Sequence, residues 1–110
     1  FDPHNYEKVT QRFEKYSNVE IIKGPVPEIF ERTEIPEKIS FLHLDMNSSI
    51  AEIGALEVLF DKMGKGAICI LDDYGLQIAK EQTKVESEWI EKKGLSICEL
   101  PTGQGMFIKV

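Results

Sequence analysis

Runs of apolar residues that stop abruptly at acidic or glycine positions divide this chain into elements. The sharpest is ICILDDYG, Ile68 to Gly75, where four apolar residues run into two adjacent carboxylates, an aromatic residue and a glycine. A short apolar run bounded by turn residues predicts a strand buried on both faces, the kind found in parallel sheets. ISFLHLDMNSS, Ile39 to Ser49, repeats the shape with Asp45 at its end. Upstream, Tyr6, Val9, Phe13 and Tyr16 fall on one helical face and predict a helix over Pro3–Tyr16, with Asp2 as N-cap and Pro3 in the first turn. Val19–Lys23 reads as a strand closed by Gly24-Pro25, and Val26–Phe30 as a short helical turn. After Asp45, Ser49-Ile50-Ala51-Glu52 has the form of a capping box. It opens a helix with Ile50, Ile53, Leu56, Leu59, Phe60 and Met63 on one face, ended by Gly64 or Gly66. A strand over Ala67–Asp72, a helix over Leu76–Lys93 with Ile78, Val85, Trp89 and Ile90 on its apolar face, and Gly94 as its cap follow. Strands over Leu95–Leu100 and Met106–Val110, joined by Pro101-Thr102-Gly103-Gln104-Gly105, should pair antiparallel.

Strands alternating with helices predict a three-layer α/β sandwich formed by a single domain, residues 1–110. In open α/β sheets ligands bind outside the carboxyl ends of the strands. Asp45, Asp72 and Asp73 all fall there. If their strands are neighbours, about 4.8 Å apart, three carboxylates converge on one small volume.

Composition narrows the choice of partner. The chain is 42% hydrophobic and 29% charged, as a globular domain is, and its net charge of −6 argues against a nucleic-acid backbone or an anionic membrane surface. No apolar run is long enough to span a bilayer and no signal-peptide pattern is present, so a cytoplasmic location is expected. Cys69 and Cys98 sit inside apolar strands without a CxxC partner, which reads as two reduced core thiols, with a disulfide or a metal pair as the minority reading.

Convergent carboxylates form a hard-oxygen site suited to Mg²⁺, Mn²⁺ or Ca²⁺, and a cation offsets the repulsion between adjacent aspartates. A cation there would hold a substrate hydroxyl and favour its deprotonation. The competing reading is that the aspartates only cap the helices that follow. His43, two residues before Asp45, shares its strand face, either as a hydrogen-bonded core residue or as a general base. Trp89 and Phe60 read as core, His4 as a solvated helix residue, and Tyr74 as pocket lining or packing. A phosphoacceptor receiver domain is excluded by order, because here the acidic pair follows the third strand and Lys109 lies at the chain end with no helix after it.

FLHLDMNSSIAEIGALEVLF, GAICILDDYG and LPTGQGMFIK together resemble the C-terminal half of class I S-adenosylmethionine (SAM)-dependent O-methyltransferases of the macrocin O-methyltransferase-like family, from Val19 onward. The resemblance implies a Rossmann-like methyltransferase fold, mostly parallel, with a reversed last strand. It implies methyl transfer to a hydroxyl of a small molecule, often a sugar, with SAM as donor and Mg²⁺ or Mn²⁺ as metal. It makes Asp45, Asp72 and Asp73 the metal ligands, Asp45 also the base or its neighbour, and Asp2 a holder of the SAM ribose. Asn47 stands where the family often has a further aspartate. The family orders its strands 3-2-1-4-5-7-6, and this chain would lack strands 1 and 2 together with the glycine-rich loop. These residues by themselves are then expected to be inactive, and the exposed strand edge to pair in a homodimer or to rearrange. The alternative is a non-catalytic α/β assembly module.

Overall fold

The computed structural model describes residues 3–72, 74–75 and 80–110. Three α-helices, α1 (Asn5–Phe13), α2 (Ser49–Leu59) and α3 (Lys80–Lys92), accompany four strands, β1 (Ile39–Leu44), β2 (Met63–Leu71), β3 (Cys98–Glu99) and β4 (Gly105–Ile108). The strands form one open sheet in the order β1-β2-β4-β3. β1 and β2 are parallel, as a strand–helix–strand crossover through α2 requires, whereas β4 runs antiparallel to both β2 and β3. The sheet is therefore mixed rather than mostly parallel, because the reversed β4 inserts between β2 and β3.

One face of the sheet carries the core. Leu44, Ala67, Cys69, Leu71 and Phe107 point toward α2 and α3 and are buried with Ala55, Leu56, Leu59 and Ile90. Phe60 closes this core at the end of α2, edge-on to Trp89 with ring centroids 5.4 Å apart. Lys109 lies over the Phe60 ring and donates at 2.7 Å to the Phe60 carbonyl, which also accepts from Met63 N–H. α3 ends in a Schellman arrangement. Leu95 N–H donates to Ile90 O and Gly94 N–H to Glu91 O, with Gly94 at φ +78°.

Strand alternation sends Phe41, His43, Ile68, Ile70, Met106 and Ile108 to the opposite face, where Phe41 is 60% and Ile108 45% exposed. Two layers, not the expected three, are formed by the described residues. α1 buries none of its residues, and its Tyr6 and Phe13 remain 39% and 37% exposed. The expected strand over Val19–Lys23 is also absent: these residues are irregular and Ile22 is 45% exposed. A strand needs a neighbour to take its backbone bonds, and among the described residues β1 pairs only with β2. The segment that follows instead packs Val26, Phe30 and Ile35 on the core around a short 3₁₀ turn, Glu28–Glu31. Gly64 and Gly66 do not end α2. The helix stops at Leu59, a 3₁₀ turn covers Phe60–Lys62, and both glycines lie within β2. Gly66, at φ +87°, sits where the β1–β2 register slips, between the pairs Ile39–Met63 and Phe41–Ile68.

Candidate functional site

The carboxyl ends of β1 and β2 lie side by side. Leu44 faces Leu71, and Leu71 faces Gly105 on β4. One step further along this register, Asp45, Asp72 and Gln104 fall in a single row. The Asp72 N–H still donates to Leu44 O at 3.0 Å, so the β1–β2 ladder extends to the first aspartate of the pair. Odd residues of β1 and even residues of β2 and β4 share the outer face, which puts His43, Asp45, Asp72 and Gln104 on the same side.

Their side chains meet around Asp72. Gln104 Nε2 donates to Asp72 Oδ1 at 2.8 Å, and His43 Nε2 lies 3.1 Å from the same oxygen, the diagonal contact that the parallel register allows. Asp45 stands beside Asp72, one step beyond the Leu44–Leu71 pair. The hydrogen bond from Gln104, then that from His43, with a smaller part from Asp45, hold the Asp72 carboxyl below the usual aspartate range against a partial desolvation. As a carboxylate, Asp72 only accepts, so its bond with His43 places the proton on Nε2. In the neutral ring this leaves the lone pair on Nδ1. The His43 and Asp72 side chains are 43% and 29% exposed, open enough for a small ligand to reach them.

The turn from β1 into α2 is built to present Asp45. The N-cap is Ser48, not Ser49: its hydroxyl accepts from Ala51 N–H at 3.3 Å. The Glu52 carboxylate, buried, reaches back past the expected capping-box partner and accepts from Met46 N–H at 2.9 Å. Asn47 adopts φ +51°, a left-handed conformation that asparagine tolerates. Its side chain is exposed, and the chain's need for this backbone shape accounts for the residue.

Beyond Asp72, Tyr74 turns inward. Its hydroxyl lies 2.5 Å from Ser87 Oγ, and its carbonyl accepts from the Thr83 hydroxyl, tying the loop to α3. Tyr74 thus packs against the core. His4 is exposed, one residue ahead of α1, with Nδ1 3.1 Å from Glu7. Cys69 is buried and Cys98 exposed, both as thiols.

The structure thus brings together three residues singled out in the sequence, His43, Asp45 and Asp72. Asp73 and Asp2 lie outside the described residues, as does Ile78. Among the described residues, no group of three His, Cys, Asp and Glu side chains stands close enough to hold a metal ion. Two carboxylates nevertheless fit Mg²⁺, which commonly takes one or two and fills its remaining positions with water and substrate oxygens. Gly103-Gln104-Gly105 belongs to the β3–β4 hairpin and not to a strand-to-helix turn. Gln104 and Thr102 escaped the sequence reading. The available signal was the predicted antiparallel hairpin, whose turn has to fall at the carboxyl end of the strand beside it.

No protein-family model matches the chain, and no curated protein matches it.

Proposed function

We propose that this chain is the cation- and acceptor-holding part of a SAM-dependent, divalent-metal-dependent O-methyltransferase with a Rossmann-like fold, acting on a hydroxyl of a sugar or another small molecule. The observation that carries the reading is the meeting of Asp45 and Asp72, with His43, at the carboxyl ends of two adjacent parallel strands. The strand order β1-β2-β4-β3 with β4 reversed supports it, because it coincides with the 4-5-7-6 part of the order implied by the sequence resemblance.

Asp45 and Asp72 would hold Mg²⁺ or Mn²⁺, joined by Asp73. The ion, when bound, supplies positive charge that favours the ionised form of an acceptor hydroxyl. His43, oriented through Nε2 by Asp72, offers Nδ1 to receive the hydroxyl proton, and Asp45 is the other base within the row. Positioning and proton removal are the contributions of these residues, and no step through SAM is assigned to them.

Calorimetric titration of Mg²⁺ and Mn²⁺ into the chain, beside Asp72→Asn, tests the cation site. Saturable binding by the native chain that disappears in Asp72→Asn is the expected result. Equal heats from the two proteins would overturn the reading. One observation favours a second reading, a non-catalytic assembly module: the sheet face opposite α2 and α3 leaves Phe41 and Ile108 exposed. A chain that binds neither ion and associates through that face would fit it.

A further inference from the structure

Two segments far apart in sequence, DDYG and TGQG, are clasped together at three points. Gln104 Nε2 donates to Asp72 Oδ1 at 2.8 Å, Gly75 N–H donates to Gly103 O at 2.6 Å, and Tyr74 packs over Gly105. The hairpin that supplies the second segment is itself closed by Leu100 N–H donating to Gln104 O at 2.7 Å and Gly103 N–H donating to Leu100 O at 2.9 Å. Within it, the Thr102 hydroxyl donates to Gln104 Oε1 at 3.0 Å, which turns the amide so that Nε2 faces Asp72.

We propose that Gln104 is a positioning residue of the site: it fixes the Asp72 carboxylate through Oδ1 and so determines which oxygen is presented to an incoming cation or acceptor hydroxyl. Both donors, Gln104 and His43, converge on Oδ1, and Oδ2 makes neither bond. A carboxylate held at one oxygen by two donors loses its freedom to rotate, and its other oxygen is preorganised. Groups that orient a metal-binding side chain in this way typically account for 10- to 100-fold in affinity. The hairpin thereby becomes part of the site without touching the bound species. The inference rests on the cation reading above and adds to it a residue that is neither acidic nor on a helix-linked strand end.

The test is made on the intact chain with Gln104→Leu, which keeps the bulk and removes the donor, and with Thr102→Val, which loosens the amide. Mg²⁺ affinity is read by calorimetry, and the Gln104 side-chain amide resonances are read by NMR in the native chain and in Asp72→Asn. Thermal melts and amide spectra confirm that each variant is folded. The expected result is Mg²⁺ affinity reduced about tenfold or more in Gln104→Leu and less in Thr102→Val, with the Gln104 amide signals moving when Asp72 is changed. Native-like Mg²⁺ affinity in a folded Gln104→Leu would overturn the proposal. If the native chain binds no Mg²⁺, the cation reading itself falls. The amide signals then decide whether Gln104 holds Asp72: movement in Asp72→Asn supports the link, and unchanged signals overturn it.

Discussion

A Cβ placed on Gly105 would stand 2.6 Å from Cγ of Tyr74, closer than two carbon atoms can approach. Only glycine lets the tyrosine ring lie against the start of β4. Gly105→Ala should therefore displace Tyr74 or the hairpin and destabilise the fold by about 1–3 kcal/mol, the usual cost of overpacking. Thermal melts of Gly105→Ala beside a control alanine at exposed Lys84 would measure it. Equal melting temperatures would show that the ring moves aside without cost.

Asp72 predicts an acid-side effect with a definite sign. Its carboxyl is held below the ordinary value by Gln104 and His43, so the folded state favours the ionised form more than the unfolded chain does. The stabilisation is present above the unfolded aspartate value and is lost as pH falls through the lower folded value. Urea unfolding at a series of acidic pH values should show stability declining over that interval in the native chain. The decline should be shallower in Asp72→Asn, and parallel curves would refute the assignment.

Cys69 predicts an alkaline effect of opposite sense. Burial, reinforced by the nearby Glu86 and Glu52 carboxylates, pushes its thiol from 9.0 up to about 12. The folded chain therefore keeps the neutral thiol where the unfolded chain begins to ionise. The contribution to stability is complete below the unfolded value and is lost as pH climbs toward the folded one. At pH 8 a thiol reagent should label Cys98, which is exposed, and spare Cys69 until denaturant is added. Rapid labelling of both thiols in the native chain would contradict the buried placement.

Three substitutions in α2 and at its N-cap separate core packing from capping. Leu56, fully buried, should cost about 2–5 kcal/mol when changed to alanine. Ser48→Ala should cost about 1 kcal/mol through loss of the N-cap, with Ser49→Ala costing less. Denaturant melts of the three variants rank these effects. A larger loss at Ser49 than at Ser48 would return the cap to the position suggested by the capping-box spacing.

Local patterning by itself determined β1, β2, the hairpin and α2, because each rests on an apolar run or period bounded by its own turn residues. It also determined that Asp45 and Asp72 end strands. His43 facing Asp45 followed from alternation within one strand. What tertiary structure decided depends on neighbours that no local pattern names. Val19–Lys23 has strand-like composition, yet it forms no strand because no described edge takes its backbone bonds. The cap of α2 moved to Ser48 because buried Glu52 finds the Met46 amide instead of Ser49. Gln104 reached Asp72 only because β4 inserts beside β2 in reverse, aligning residues 32 positions apart across the sheet. Strand order and register, set by burying one shared core, turned separate acidic and amide side chains into a single site.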